Sequence, residues 1–434
     1  MSRTVVSDVV RHFVALTGIA ALAAYGAVYG LHLADQPIRS DGFSYYVYLP
    51  SWFLYGDPTL EAVAHDCCGG TFPEYTTMVR WPSTGRWVNP HPIGVAVQMI
   101  PFFGAAAALS WWSNLPRDGF SLYDEHFAGL SGLAYFLAGL ASLRWLLRRH
   151  FSDVVVLATL VTITWGTNLF HYAVYDSVYS HAFSFCLIAT LVALTERWWD
   201  DPAWRVSLAL SVISALVVLT RHPNAIFLML VPLYGVTSWS TLRRNLERLW
   251  ERRAAVAGLV AMTALCVTPQ LAIYRQATGR WLVSSYGSIG FTFGSPHLAG
   301  VLFSVQKGLF FWSPVLALAV AGLFVARGWA RGLVVATVLI MAVDTYLIAS
   351  WSDWQFGGSY SHRGFTDSLG LLAIFLASFF AWAAERPRLV QPVAVLVSAA
   401  VLLSAAQMIQ YWLGIVPIAN TTWAQYRELF LRFR

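Results

Sequence analysis

Residues Phe13 to Leu33 read FVALTGIAALAAYGAVYGLHL, a run that contains no Asp, Glu, Lys or Arg. A helix that crosses a bilayer needs about 20 apolar residues, so this run predicts a transmembrane helix. Similar runs recur throughout the chain, which is 57% hydrophobic and 12% charged and has a mean hydropathy of +0.57. Such a composition has too little charge to cover a soluble surface. It predicts an all-α, polytopic membrane protein that forms one domain over residues 1–434.

Eleven segments are predicted to cross the bilayer. They are residues 13–33, 126–147, 153–173, 181–199, 205–220, 224–240, 254–274, 309–326, 331–349, 365–383 and 389–413. Arginine clusters lie between them, and the positive-inside rule assigns these clusters to the cytoplasm. The N-terminus is then cytoplasmic and the C-terminus lies outside. This topology requires Ile93 to Trp112 to lie along the outer face, since a further crossing would place the cluster at Arg148 outside.

The formal net charge of +6 does not indicate nucleic acid as a partner, because the arginine clusters follow the topology. The chain has many arginines and one lysine, Lys307, a balance typical of GC-rich bacterial genomes. The expected location is therefore the bacterial inner membrane, with the outer face in the periplasm and membrane lipids around the helices. The adjacent Cys67 and Cys68 are either bridged or neighbours by chance.

Three long segments are predicted on the outer face: residues 34–112, 275–308 and 350–364. Long loops in a compact protein are usually functional or disordered, and these are rich in Trp, Tyr, Pro and Gly, which favours order. Neither a channel nor a symmetric transporter requires them. The gathering of polar residues on one face therefore favours an enzyme.

Two outer segments contain candidate catalytic carboxylates. Asp41 lies shortly after the first span, where partial burial would raise its pKa and suit it to act as a general base. Alternatively, it caps a helix that begins at Gly42. Asp176 lies in the next outer turn, with His181, at the same depth as Asp41. It is either functional or a helix cap, and in the helix-cap alternative His181 faces water. Asp57, in Gly56-Asp57-Pro58, is predicted to be a turn residue.

Isolated cations mark other outer segments. Arg221-His222-Pro223 divides a long apolar stretch, and a cation there should face the protein interior, bind a phosphate or extend to the lipid interface. Lys307, His362 and Arg363 lie among aromatic residues that suit a sugar or a lipid, or that form an ordinary interfacial belt. No spacing typical of a metal site and no glycine-rich nucleotide loop is present. No cofactor is therefore expected, although a divalent metal is not excluded.

Several of these motifs, in this order, resemble the GT-C class of glycosyltransferases, in particular bacterial families related to protein O-mannosyltransferases and aminoarabinose transferases. The resemblance covers nearly the whole chain. The motifs are Ser40-Asp41-Gly42-Phe43-Ser44-Tyr45-Tyr46, Asn89-Pro90-His91-Pro92-Ile93-Gly94, Asp176, Thr220-Arg221-His222-Pro223, 303–310 and 357–363. Two departures bear on acceptor chemistry and metal use. Asp41 replaces a paired acidic dipeptide, and His91-Pro92 replaces Lys-Pro-Pro.

The resemblance implies a sugar donor linked to polyprenyl phosphate and an acceptor hydroxyl on a glycan, a lipid or a protein. Asp41 would orient or deprotonate this hydroxyl, which attacks the anomeric carbon with inversion, and Asp176 would assist. The implied substrate-binding residues are Tyr45, His91, Arg221, His222, Lys307, His362 and Arg363. A secondary transporter or flippase predicts inverted repeats with broken helices, which the sequence does not display. A non-catalytic scaffold with the same fold is the other alternative.

Overall fold

A computed structural model describes residues 3–283, 286 and 289–433 and shows an almost entirely helical chain, which confirms the predicted all-α class. The first helices are α1 (Arg3–Gly30), α2 (Asp41–Tyr46), α3 (Tyr48–Phe53), α4 (Glu61–Cys68) and α5 (Gly94–Trp112). Between α4 and α5, the two-residue strands β1 (Val79–Arg80) and β2 (Trp87–Val88) pair in an antiparallel manner. Cys67 and Cys68, at the end of α4, are joined by a disulfide.

The remaining helices form the rest of the bundle. They are α6 (Leu122–Arg148), α7 (Asp153–Trp165), α8 (Leu169–Val174), α9 (Ser180–Asp200), α10 (Trp204–Thr220), α11 (Leu230–Leu233), α12 (Trp239–Glu251), α13 (Arg253–Thr278), α14 (Leu298–Phe303), α15 (Leu309–Trp312), α16 (Leu316–Val325), α17 (Gly328–Arg331), α18 (Val334–Ser350), α19 (Leu369–Ala384), α20 (Pro387–Trp412) and α21 (Trp423–Leu429). Short 3-10 helices cover Glu74–Thr76, His222–Met229 and Arg363–Phe365.

Six of the described helices are long and apolar enough to cross a membrane: α1, α5, α6, α9, α13 and α20. Six other apolar helical segments have 10–17 residues. Helices α13 and α20 bury few side chains although they are strongly apolar. Extended apolar surfaces of this kind are typical of contact with lipid. The chain thus has the helices of a membrane protein, although fewer helices reach full spanning length than the eleven crossings predicted.

Helix α5 is the segment expected to lie along the outer face. Its length and composition place it among the six, but its contacts are with the first half of α6. Ser110 Oγ lies 2.7 Å from Ser121 Oγ, and the Tyr135 hydroxyl donates to the Gln98 carbonyl at 3.4 Å. The C-terminal end of α6 lies next to the C-terminal end of α9 instead. Helix α5 therefore covers the half of α6 that is remote from Arg148.

Three predicted spans are not continuous α-helices. One of them, residues 309–326, forms α15 and α16 with a break between them. Residues 153–173 form α7 and α8 with a break between them. Residues 224–240 were expected to form one helix, and this expectation is wrong: the 3-10 helix His222–Met229 leads into α11, and α12 then begins at Trp239. Pro223 immediately precedes this segment, in the first turn of the 3-10 helix. Pro232 lies within the segment and cannot donate a backbone hydrogen bond, which interrupts a regular α-helix.

Glycines permit the two closest helix contacts in the core. A Cβ atom on Gly132 of α6 would lie 1.8 Å from the Ser177 carbonyl oxygen, at the turn before α9. A Cβ atom on Gly322 of α16 would lie 1.8 Å from the Phe375 carbonyl oxygen of α19. Both distances are far shorter than any real contact, so only glycine fits. These contacts fix α6 against α9 and α16 against α19.

Two contacts bring the first loop next to the ends of the long helices. The Arg39 Nη2 donates to Asp176 Oδ1 at 2.9 Å, which fastens the residues before α2 to the turn before α9. Gly94 begins α5 against the end of α10, where a Cβ atom would lie 2.3 Å from the carbonyl carbon of Leu219. As a result α2, the start of α5, the turn before α9 and the hairpin after α10 meet at one end of the bundle.

Candidate functional site

A cavity of about 370 Å³ opens at this end of the bundle. Its walls come from α2, the residues before α5, the start of α9, the hairpin after α10, the end of α18 and the segment around Phe356 and Arg363. Six of the nine predicted site residues line it: Asp41, Tyr45, His91, Arg221, His222 and Arg363. The fold therefore gathers residues from widely separated parts of the sequence around one space.

Asp41 and Arg363 form an ion pair in the cavity wall, with Arg363 Nη1 2.7 Å from Asp41 Oδ2. Burial alone would raise the pKa of Asp41, but Arg363 and then His91 outweigh this effect and hold the pKa well below its usual range. The expectation of a raised pKa is therefore wrong. The helix-cap alternative is also wrong, because Asp41 is the first residue of α2 and Ser40 occupies the cap position.

His91 and Tyr45 lie beside this ion pair. His91 Nε2 is 3.8 Å from Asp41 Oδ2, and the Tyr45 ring meets the His91 ring edge-on with 4.6 Å between centroids. The segment that carries His91 is held by a hydrogen bond from Asn89 Nδ2 to the Ser44 carbonyl, at 2.6 Å. The first loop is thus joined to α2, and this contact sets the position of the imidazole relative to the carboxylate.

Arg221 is anchored by a second buried carboxylate, Asp367. Arg221 Nη1 lies 2.6 Å from Asp367 Oδ2, and His181 Nδ1 lies 3.0 Å from Asp367 Oδ1. His181 is buried and lines the cavity, so the expectation that it faces water is wrong. His222, the next residue in the hairpin, places Nε2 3.0 Å from the Tyr274 hydroxyl. The guanidinium and both imidazoles therefore face the same cavity in fixed orientations.

Asp176, the second predicted catalytic residue, is not among the residues that line the cavity. Its Oδ1 accepts from Arg39, and its Oδ2 accepts from His171 Nε2 at 2.9 Å. The other nitrogen of His171 accepts from Trp412 Nε1 at 2.8 Å. With both carboxylate oxygens occupied inside the protein, Asp176 holds the residues before Asp41 in place rather than facing a substrate.

Lys307 and His362 also lie outside the cavity lining. The Lys307 Nζ donates to the carbonyl oxygens of Ser359 and, at 2.7 Å, Ile418, so it ties together two segments of the chain. Burial and the nearby Arg363 lower the pKa of Lys307 to about 7. His362 is buried between Phe356 and Phe365, and burial lowers its pKa to about 3. Both residues are placed to support the loop that carries Arg363.

The cavity combines two guanidinium groups with aromatic walls. Arg221 and Arg363 each use one nitrogen for a carboxylate, and both lie against the Phe356 ring, at 6.0 and 5.8 Å from its centroid. Guanidinium groups match phosphates in charge and geometry, and aromatic faces suit apolar parts of a ligand. The site thus offers guanidinium nitrogens not used by Asp41 or Asp367, together with aromatic surfaces, although Asp41, Asp344 and Asp353 also line it. Within the described residues, no three His, Cys, Asp or Glu side chains are grouped to hold a metal ion.

Two carboxylates within predicted spans were missed, in addition to Asp353, which also lines the cavity. Asp367 anchors Arg221, and Asp344 lines the cavity and accepts from Ser368 Oγ at 2.9 Å. Both lie within predicted apolar spans, where an ionisable residue is itself a sign of function. That signal was available in the sequence. No family model, curated protein or solved structure matches the chain.

Proposed function

We propose that the protein is a GT-C-like glycosyltransferase that transfers a sugar from a polyprenyl-phosphate-linked donor to an acceptor hydroxyl, with inversion. The observation that carries this proposal is the convergence of Asp41, Arg221 and Arg363 on one cavity at the end of an apolar helix bundle. Such a donor has a long apolar chain, a phosphate and a sugar. The lipid-facing helices would hold the apolar chain, the guanidinium groups would bind the phosphate, and the cavity, with polar side chains among aromatic walls, would hold the sugar.

In the proposed reaction, the donor phosphate lies against Arg221 and Arg363. The acceptor oxygen attacks the anomeric carbon, the bond from that carbon to the phosphate oxygen breaks, and the electron pair stays on the phosphate. The two cations stabilise the charge that grows there, an effect that is largest in a site shielded from water. Asp41 accepts a hydrogen bond from the incoming hydroxyl and orients it, with His91 and Tyr45 beside it.

In the proposed topology, eleven segments cross the bacterial inner membrane and the cavity faces the periplasm. The contacts of α5 with the cavity-side half of α6 support its assignment to the outer face. The exposed arginines of α12, between the inner ends of α11 and α13, support a cytoplasmic position for that helix. The donor would then reach the cavity from the outer leaflet.

The test is glycosyl transfer by purified protein in lipid nanodiscs with a panel of polyprenyl-phosphate sugars. We expect wild type to consume at least one donor and Asp41→Asn to lose most of this activity while still binding the donor. Asp35→Asn is the matched control, because Asp35 is an exposed carboxylate in the same loop and does not line the cavity.

An active Asp41→Asn variant would remove Asp41 from the mechanism. If wild type consumes no donor but moves a lipid-linked sugar across the bilayer, the protein is a flippase and the proposal is wrong. If wild type neither consumes nor binds any donor, the enzyme proposal is also wrong and a scaffold role takes its place.

A further inference from the structure

His181 and Asp367 form a hydrogen-bonded pair in the cavity wall that the reaction proposed above leaves without a role. The two atoms in contact are His181 Nδ1 and Asp367 Oδ1, 3.0 Å apart. Asp367 is 1% exposed and His181 is 3% exposed. Of these two residues, only His181 lines the cavity. The carboxylate therefore lies behind the imidazole, which faces the space where a substrate would bind.

The partner of Nδ1 determines which tautomer His181 adopts. An ionised carboxylate only accepts hydrogen bonds, so Nδ1 must carry the hydrogen and donate it to Asp367. In the neutral ring, the lone pair is then on Nε2. Because Nδ1 is bonded to Asp367, Nε2 is the ring nitrogen that remains for a ligand in the cavity. The Tyr172 ring, with its centroid 4.7 Å from that of His181, packs against the imidazole and restricts its rotation.

Asp41, the carboxylate proposed to contact the acceptor hydroxyl, is a weak base. Arg363 lies 2.7 Å from Asp41 and stabilises its ionised form, so Asp41 has little tendency to take up a proton. An imidazole is the side chain that most often transfers protons in general acid–base catalysis. The cavity thus contains one carboxylate suited to orient a hydroxyl and one imidazole suited to deprotonate it.

We propose that His181 is the general base of the transfer and that Asp367 is its positioning residue. This inference rests on the proposed glycosyltransferase function. The acceptor hydroxyl gives its proton to His181 Nε2 while its oxygen forms a bond to the anomeric carbon. The bond between that carbon and the phosphate oxygen breaks, and the polyprenyl phosphate leaves with the electron pair. The imidazolium, paired with Asp367, later returns the proton to water or to the released phosphate.

Asp367 also holds Arg221 through its other oxygen, 2.6 Å from Nη1. One carboxylate therefore sets the direction of the base and of a proposed phosphate-binding cation. Because Asp367 holds both His181 and Arg221, it fixes the distance between the base and the cation. Its own side chain does not face the cavity. Asp367→Asn should therefore lower kcat and weaken donor binding. Removal of the imidazole alone should lower kcat with little change in donor binding.

The test compares His181→Ala and His181→Gln with wild type in the nanodisc assay, with and without added imidazole. General-base catalysis is typically worth about 10²–10⁴-fold, so we expect kcat to fall by this amount with little change in donor affinity. Imidazole should restore transfer by His181→Ala in proportion to its concentration, which a purely structural role would not allow. His181→Gln keeps a side chain in the wall, so the kcat comparison does not depend on the alanine variant folding.

His150→Gln is the matched control, because His150 pairs with a buried carboxylate, Glu196, at 3.1 Å and neither residue lines the cavity. Glutamine can still donate to Glu196, so kcat should stay within about twofold of wild type, less than a tenfold change in rate, which corresponds to about 1.4 kcal/mol. The assignment of the base would be overturned if both His181 variants kept the wild-type kcat. It would also be overturned if imidazole did not restore the kcat of a folded His181→Ala variant. Absence of transfer by wild type would overturn the glycosyltransferase proposal, and this inference with it.

Discussion

Arg363 Nη1 lies 2.7 Å from Asp41 Oδ2, although the two residues come from opposite parts of the chain. This contact joins the first loop to the segment that follows α18. It also supplies a cation for a carboxylate that burial would otherwise destabilise. The geometry of the cavity therefore depends on a pair whose two members belong to different structural elements.

Removal of one member of this pair should destabilise the protein. Arg363→Gln leaves the partly buried Asp41 without its cation, which should cost more than the loss of an exposed pair but less than the loss of a fully buried pair, which costs about 3–5 kcal/mol. Thermal unfolding in detergent would measure the loss. Arg327→Gln is the control, because Arg327 and Glu385 form an exposed pair at 3.0 Å, which contributes less than about 1 kcal/mol. Equal effects of the two changes would show that the Asp41–Arg363 pair is not stabilising.

Arg221 should control donor affinity. A hydrogen bond to a charged group contributes about 1.5–3 kcal/mol, so Arg221→Gln should weaken binding of polyprenyl phosphate by about 10-fold or more. Titration of the protein in nanodiscs with that lipid would measure the change. Arg117→Gln, at an exposed arginine between α5 and α6, should bind as wild type does. Unchanged affinity in Arg221→Gln would exclude Arg221 as a phosphate ligand.

Lys307 should make stability depend on pH. Burial lowers its pKa from 10.5 to about 7, so between these values the unfolded chain binds a proton that the folded protein does not. Stability should therefore rise as the pH increases from about 7 towards 10, by at most about 1.4 kcal/mol per pH unit. Lys307→Met should flatten this rise. Unfolding temperatures of both proteins at pH 7 and pH 9 provide the comparison, and parallel slopes would contradict the assignment.

Gly132 should not tolerate a larger side chain. A Cβ atom there would lie 1.8 Å from the Ser177 carbonyl oxygen, so Gly132→Ala must displace α6 from the turn that precedes α9. We expect a loss of about 1–3 kcal/mol or more, as for other overpacked cores, and a lower yield of folded protein. Gly26→Ala, on α1 where no atom lies within 4 Å, should be neutral or slightly stabilising. Size-exclusion profiles and unfolding temperatures would distinguish the two.

The long helices were predictable because apolar length is a strong signal. The bounds of α6, α9 and α13 differ from the predicted spans by only a few residues. The interrupted helical structure of residues 224–240 was not predictable from hydropathy, since apolar content gives no information about backbone hydrogen bonding. Pro223, immediately before this segment, and Pro232, within it, are the residues in the sequence that indicate an interrupted helix.

The site was predictable where charge interrupts aromatic or apolar sequence. That signal located Asp41, Arg221 and Arg363, which the structure places around one cavity. The same signal also selected Lys307 and His362, which are buried supports. Sequence alone does not distinguish a cation that faces a cavity from one that binds neighbouring carbonyl groups. Asp367 was missed because it was counted as part of a span.

The most direct test of the central claim is a structure of the protein with a non-hydrolysable polyprenyl-phosphonate sugar, determined by electron cryo-microscopy. We expect the phosphonate within hydrogen-bonding distance of Arg221 or Arg363, and the sugar between Asp41 and His181. The lipid should leave the cavity between helices. A ligand bound elsewhere, or a cavity that stays empty at a saturating concentration, would contradict the proposed donor site.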